Sequence, residues 1–595
     1  MASAQFDNQW ASFTQDNSKL GPNPTSISNE TTTLPGDTSG FGLTGTETDF
    51  AWGDLDKDGW TDLVIVRKQP FTSAGKRTNL LLMNNEGLLQ DRTALFASAS
   101  DVAGDNGFLT ATNDRDVFVA DVDGDTWLDV ITATTISDSD PKHVGHPRIY
   151  MNLGVDGAGA WLGLEHQDAR MPQMVSFTTG NPTNPRFCSV AVGDVTGDGL
   201  PELWFGDYDS SGAGGVFQPP GSDMNDRLLI NDGSGFFTDE SQLRLDADML
   251  QAAFGAASVI ADFNGDGMND IAKQTALNPP QDVRIIYNGT GLAPGEGFFD
   301  IQDKFHTFAP YHINAGDLNQ DGDLDMIFSD DGLDRYRINT GVDPLGRVIW
   351  SSAFTYDFLS GNDDGFSSNN LIVDIDGDGW GDTLHTDIDV DIPGGNRRLH
   401  IYHNLGGTPG GTDIVLREER ENTSSAGWIG VVGLTTDSMR GTHDVAVFDI
   451  DNDTDLDMVI SREAGTDVYT QDGGVVCQKS VGFGGPGFSV MTVCGEDVTT
   501  IGNSADAKLT GAPASSPSAW VLGNVNSPVA LFGGFIVPST PILTAGFTTD
   551  ANGEILLPDA IIGNGGGQTL YLQALTFDAG IPTAWDVSTA VEIQL

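Results

Sequence analysis

Short apolar runs and acidic loops alternate along most of this chain, and no stretch carries the three-to-four-residue apolar rhythm of an amphipathic helix. The stretch WGDLDKDGWTDLVIV, from Trp52, sets the pattern: an aromatic run, nine residues crowded with aspartate, then a second apolar run. Runs of β-branched and aromatic residues bounded by Gly, Asn and Asp read as strands. The same unit returns as ADVDGDTWLDVIT from Ala120, GDVTGDGLPELWF from Gly193 and ADFNGDGMNDIAK from Ala261. It returns again as GDLNQDGDLDMIF from Gly316, VDIDGDGWGDTLH from Val373 and FDIDNDTDLDMVI from Phe448. The leading aspartates are spaced by 67, 73, 68, 55, 57 and 75 residues. After each pair of runs comes a third, usually ending in Asn, as in NLLLMNNEG, PRIYMNLG, DRLLINDGSG, VRIIYNGTG, DRYRINTG and LHIYHNLGG; the seventh copy has DVYTQDGG. Segments such as GFFTDES and GFFDIQD mark a fourth strand. Four short strands per unit, repeated seven times, predict an all-β fold with a seven-bladed β-propeller over residues 1–473.

After Gly473 charge becomes sparse, and Gly, Pro, Thr and Val dominate. The alternating stretches AWVLGNV, EILLPDA, TLYLQALTF and AVEIQL predict strands of a β-sandwich-like domain over residues 474–595. Cys477 and Cys494 stand 17 apart in this region and are expected to pair as a disulfide, which places the chain in an oxidising compartment. Cys188 precedes an apolar run and reads as a buried thiol.

Each acidic loop places oxygen-bearing side chains at positions 1, 3, 5 and 9, and usually glycine at 6. Such a set of hard oxygens suits Ca²⁺, which takes 6–8 of them in irregular geometry. Position 7 is expected to offer its backbone carbonyl, because its side chains share nothing. The predicted ligand sets are Asp54, Asp56, Asp58, Trp60 and Asp62; Asp121, Asp123, Asp125, Trp127 and Asp129; Asp194, Thr196, Asp198, Leu200 and Glu202; and Asp262, Asn264, Asp266, Met268 and Asp270. The remaining three are Asp317, Asn319, Asp321, Asp323 and Asp325; Asp374, Asp376, Asp378, Trp380 and Asp382; and Asp449, Asp451, Asp453, Asp455 and Asp457. Up to seven Ca²⁺ are therefore expected. Loops with Thr196, Asn264 or Asn319 at position 3 are expected to bind more weakly. Thr126 and Thr454 replace glycine at position 6, which implies that a left-handed backbone is not obligatory there. EF-hand loops share the first half of this pattern, but they sit between helices and close with Glu at position 12.

Composition sharpens the picture. The formal charge is −57, from 28 Lys+Arg against 85 Asp+Glu. So acidic a chain is repelled by nucleic acid and by anionic membrane surfaces. No apolar run reaches the roughly 20 residues of a membrane span. The opening residues resemble the end of a signal peptide behind an added start codon, so the chain is expected to be secreted or displayed at the cell surface.

On these loops and their strand flanks, residues 1–473 resemble the FG-GAP/VCBS repeats that form the integrin α-subunit propeller and the propellers of many secreted bacterial proteins. The FG-GAP tripeptides themselves are poorly kept here. The resemblance implies Ca²⁺ between the first and second strands of each blade, with ligands usually met on the opposite face. That family includes adhesion modules, lectin-like binders and polysaccharide-processing enzymes.

Five residues before each leading Asp stand Asp49, Asp116, Ser189, Ala257, His312, Asn369 and Asp444, on the strand predicted to line the central channel. With Arg115, Arg186, Tyr311, Arg440 and His443 nearby, they form the candidate ligand site at the mouth remote from calcium. The insertions 208–226 and 420–444, the latter with Trp428, are further candidates. Other motifs lead nowhere. His400 and His403 lie three apart on a strand and face opposite ways, His143 and His146 lack a third ligand, and GFGGPG at 482–487 precedes a strand instead of a helix. The expected function is extracellular recognition or adhesion toward a glycan or protein ligand. The alternatives are a polysaccharide lyase or hydrolase at the channel mouth and a structural surface or filament component.

Overall fold

The computed structural model describes residues 11, 13–21, 47–68, 76–137, 140–209, 225–252, 254–276, 281–289, 291, 295–307, 310–330, 332–356, 367–377, 379–387, 398–419, 439, 441–453, 455–462, 465–471, 476–477, 480–482, 489–495, 498, 501, 504–510, 512–531, 534–538, 541–550, 553–562, 567–579, 584–588 and 590–595. Among these the protein is all-β, and its helices are single turns. Arg440, Asp378, Thr454, Trp428 and most of the two long insertions lie outside the described residues. The chain divides into two compact units, residues 1–451 with 457–470, and residues 452–456 with 471–595.

The first unit builds one sheet on each of the seven repeats. In sheet one, Glu47–Gly53, Asp62–Lys68, Leu80–Asn84 and Leu89–Asp91 pair antiparallel in sequence order. The acidic loop is the connection between the first and second strands. The first strands of the others are Asp114–Ala120, Phe187–Gly193, Ser258–Ala261, Pro310–Gly316, Ser367–Val373 and Thr442–Phe448. Second strands such as Asp62–Lys68 and Asp325–Asp330 are buried along their whole length, which is why they read as continuous apolar runs after the acid. The seventh sheet takes its outermost strand, Phe13–Gln15, from the other end of the sequence.

Consecutive first strands are neighbours in space, and Thr442–Phe448 returns to Glu47–Gly53, so the seven sheets close into a ring. The core lies between sheets. Leu63, Ile65 and Leu82 of sheet one pack with Phe448, Val459 and Val468 of sheet seven. Val64, Val66 and Leu81, on the other face of sheet one, pack with Val117, Val130 and Tyr150 of sheet two. A strand with its side chains alternating between two such layers must be apolar at every position.

The second unit consists mainly of two antiparallel sheets. One orders Val476–Cys477, Val490–Gly495, Ser504–Thr510 and Ile555–Ile562; the other orders Ser480–Gly482, Ala590–Gln594, Thr569–Phe577, Pro517–Gly523 and Pro541–Thr548. Their shared core includes Val493, Ala507 and Leu509 from the first and Trp520, Ala574 and Ile593 from the second. The register sets the backbone of Cys477 directly opposite that of Cys494; their side chains lie outside the described residues. Cys188 is buried in an apolar cluster with Tyr208, Phe254 and Tyr311, and burial pushes its thiol up to about 12.

Candidate functional site

The acidic loops share one backbone. Position 4 lies in the left-handed region in all seven, at Lys57, Gly124, Gly197, Gly265, Gln320, Gly377 and Asn452. Position 6 does so at Gly59, Gly199, Gly267, Gly322 and Gly379, and also at Thr126, with φ of +75°. The expectation that threonine relaxes this requirement is therefore corrected. The turn imposes φ > 0, and Thr126 accepts the strain that a Cβ adds there.

This double turn aims backbone N–H groups at the carboxylates. The N–H of residue 59 donates to Asp54 Oδ2 at 3.0 Å, and those of 126, 199, 267, 322 and 379 donate to Asp121, Asp194, Asp262, Asp317 and Asp374 at 2.7–2.9 Å. At position 5, Asp58, Asp125, Asp198, Asp266 and Asp321 each accept the N–H two residues on at 2.8–3.0 Å. The ninth residue is buried and cross-braced. Asp62 accepts from the N–H of Leu55 at 3.0 Å and from that of Asn84, on the third strand, at 2.8 Å. Asp129, Asp270, Asp325 and Asp382 repeat both bonds. Each acid thus keeps lone pairs for a further partner.

Four loops bring three carboxylates to within 4.8 Å of one another: Asp54, Asp56 and Asp58; Asp121, Asp123 and Asp129; Asp374, Asp376 and Asp382; Asp449, Asp451 and Asp453. Protein charge does not settle these groups. Burial pushes Asp62 and Asp270 up to about 8, and Asp129, Asp325 and Glu202 to about 7. Asp56 rises to about 6 through burial and then its neighbours Asp58 and Asp54. An all-oxygen donor set whose carboxylates are held up by desolvation and mutual repulsion fits a hard divalent cation. The other three loops differ as their sequences implied. Asn264 and Asn319 turn their amides toward Asp266 and Asp321 at 3.1 and 3.0 Å, so a neutral donor takes part of the place a cation would fill. Thr196 bonds Glu202 at 3.4 Å.

Position 3 has further basic neighbours that sequence reasoning missed. Lys19 pairs with Asp451 at 2.9 Å, His403 with Asp376 at 3.3 Å and Arg170 with Asp123 at 3.8 Å. These contacts join residues far apart in the chain, so no local signal marks them. His400 faces the other way, onto Asp387 and Glu418, as the strand alternation predicted.

In six of the seven repeats, an Asn at or just after the end of the third strand is a second repeated device. Asn152 donates to the carbonyl of Leu55, between positions 1 and 3 of the preceding loop, at 2.7 Å. Asn231, Asn288, Asn339 and Asn404 do the same to Val122, Val195, Phe263 and Leu318. Asn84 closes the circle on Ile450 at 2.9 Å. Each Asn also accepts a nearby glycine N–H, for example that of Gly297 by Asn288 at 2.7 Å. The sequence displayed these asparagines in register, but their partners lie one repeat away.

At the other end of the first strands, a cavity of about 340 Å³ is lined by Asp49, Asp116, His312 and Asn369 among apolar residues such as Phe118 and Val259. The polar side chains here tie adjacent strands together. Asp49 accepts from the N–H of Val117 at 3.1 Å, Asp116 from that of Val190 at 2.7 Å and Asp444 from that of Phe50 at 2.7 Å. Asn369 donates to Asp444 at 2.6 Å, and His312 meets Asn370 at 3.1 Å. Bulges at Asp114/Asp116, Phe187/Ser189, Ser367/Asn369 and Thr442/Asp444 interrupt the ladder at these positions. Asp49 also shares hydrogen bonds with Asp116 and Asp444; burial and then this crowding hold Asp49 and Asp116 well above the carboxylate range, and burial raises Asp444 to about 7.

Arg115 meets Asp49, Asp116 and His312 in a small adjoining pocket, whereas Arg186, Tyr311 and His443 do not join them. Arg186 is buried against Asp209 at 2.8 Å, and Tyr311 packs on Phe254. Arg115 lies over the Phe254 ring and donates to the carbonyl of Cys188 at 2.8 Å. His443 is fully buried, and burial lowers it to about 4. Burial in the interior thus accounts for Arg186, Tyr311 and His443.

No protein family's sequence profile matches the chain, and no curated protein matches it. Among solved structures it is similar to a Trypanosoma rangeli sialidase, at 11% identity over 86% of this chain and 93% of that one, with a TM-score of 0.33. It is also similar to the tetra-tandem repeat in the extending region of a large adhesion protein, at 10% identity over 93% and 99%, with a TM-score of 0.13. Likeness of that degree fixes neither fold nor function. No helix among the described residues is long and apolar enough to cross a membrane.

Proposed function

We propose that the chain is a secreted or surface-displayed, calcium-loaded recognition protein. In this reading the first unit is a seven-bladed propeller of the FG-GAP/VCBS type, the second is a β-sandwich, and the ligand is an extracellular glycan or protein. The observation that carries the calcium reading is the repeated loop: one backbone, formed on seven sheets, that gathers carboxylate oxygens, three of them within 4.8 Å of one another in four of the loops. Asp54, Asp56, Asp58 and Asp62, and their counterparts, would hold the ion. Bound there, Ca²⁺ would supply charge neutralisation at the turn between two strands, while the asparagine bonds tie that turn to the next sheet. Recognition then falls to surfaces the ring holds rigid, among them the channel end where Asp49, Asp116, His312 and Asn369 stand.

Calcium titration by calorimetry, with melting temperature read with and without chelator, tests the metal. Binding at 100 times the dissociation constant stabilises by about 2.7 kcal/mol per site. An unchanged melting temperature in chelator removes the calcium reading. A glycan array probed with the calcium-loaded protein tests the ligand class, and turnover of a bound polysaccharide would move the assignment to the enzyme alternative.

A further inference from the structure

The second unit has two long edge strands, and they differ. Ile555–Ile562 carries Pro558 and Asp559 in its middle and breaks register against Ala505 and Ala507. Proline, a charged residue and a bulge are the usual means of keeping an edge from pairing with another chain. Pro541–Thr548, with the sequence PILTAGFT, has none of these beyond its first residues. From Leu543 to Thr548 it pairs in unbroken register with Pro517–Leu522, and among the described residues nothing pairs with its outer side. Ile542 and Leu543 are 60% and 58% exposed. Leu543, Ala545 and Phe547 line one wall of an apolar cavity of about 130 Å³ with Trp520 and Leu557.

An open, uncharged ladder of N–H and C=O groups beside an apolar cavity is completed by an extended strand. We propose that the occupant is the same strand of a second copy, paired antiparallel about a two-fold axis. Two features select a copy of this chain. First, the protein carries a charge of −57, so close approach of two copies needs a stretch without acids, and these eight residues contain no charged side chain. Second, the strand is complementary to itself. With Ala545 opposite Ala545, Leu543 of each copy meets Phe547 of the other on the cavity side, and Thr544 meets Gly546 on the other side. Such pairing is isologous, so it closes as a dimer and leaves no new edge on that side.

The test uses the full chain in calcium-containing buffer. Sedimentation velocity up to about 100 µM is expected to reveal a monomer–dimer equilibrium. Thr544→Lys brings two ammonium groups together diagonally across the axis, and is expected to weaken the dimer at least about tenfold with an unchanged melting temperature. Ala545→Cys is expected to form a disulfide between copies on mild oxidation, and decides the matter should Thr544→Lys fail to fold. A wild type monomeric throughout, a dimer that Thr544→Lys leaves intact, or a folded Ala545→Cys that does not cross-link overturns the proposal. So does a monomer that accepts only a strand peptide from another protein. None of these outcomes depends on the proposed ligand.

Discussion

Asp49, Asp116 and Asp444 show how one residue type can serve two opposite electrostatic ends in this chain. In the loops, crowded aspartates spend lone pairs on backbone N–H groups, and a basic side chain reaches position 3 in some of them. At the channel end, crowding is relieved by protons and by stapling the neighbouring strand. Because burial raises these three carboxyls, and repulsion adds to it at Asp49 and Asp116, the folded state holds protons that the unfolded chain, near the ordinary value of about 4, releases. Their stabilising effect is complete at low pH and is lost as pH rises from about 4 through Asp444's value of about 7. Asn369, Arg115, Glu47 and His312 are polar and charged groups around them. Asp49→Asn keeps an acceptor for Val117 while removing the group that takes up the proton. In saturating calcium, its stability relative to wild type should therefore rise between pH 5 and pH 8, by up to about 1.4 kcal/mol for each pH unit over which folded Asp49 keeps its proton. Urea midpoints at the two pH values check this, and a difference that does not change with pH refutes it.

At the scale of the strand and loop, the asparagine bond is the clearest test of how sheets are joined. Asn288→Ala deletes two donated bonds, to Val195 and Asn269, and one accepted from Gly297. Each buried group left unpaired costs about 1–3 kcal/mol. Chemical denaturation should register a loss of that order, and a change under about 0.5 kcal/mol would show the contact to be incidental. This element also marks what the sequence can and cannot convey. The seven acidic loops, their strand flanks and the four-strand unit were legible because they recur in register within each repeat. The left-handed turn at position 4 was not, since Lys57 and Gln320 carry no glycine signal. Buried pairs such as Arg148 with Asp105 were missed as well. Arginine stands four residues before the asparagine in sheets two to five, at 148, 227, 284 and 335, but its partner comes from a different segment each time. The candidate ligand residues were read from strand position alone, which locates Asp49, Asp116, His312 and Asn369 on the channel and cannot tell that Arg186 and Tyr311 turn away into the interior.

For the first unit as a whole, closure of the ring rests on a three-residue strand. Phe13 is almost completely buried, Asp16 donates its N–H to the carbonyl of Val468 at 2.9 Å, and Gln15 and Asn17 both bond Asp467. Truncating a buried Phe typically costs about 3–5 kcal/mol. Phe13→Ala should therefore lower the denaturation midpoint of the first unit, while the second unit, which contains none of these residues, keeps its own. Hydrogen exchange resolved by segment separates the two, and protection of Gly465–Gln471 that survives Phe13→Ala would show that the ring closes without this strand.

The same closure has a consequence in time. Gln15 and its partner Asp467 are separated by 452 positions. At about 5–20 residues per second, the strand leaves the ribosome roughly 20–90 seconds before the segment it must pair with exists. Six sheets can be complete by then, while the seventh waits for the chain to come back on itself. Through that interval Phe13–Gln15 is a solitary edge, and its brevity and two polar residues of three limit what else it can join.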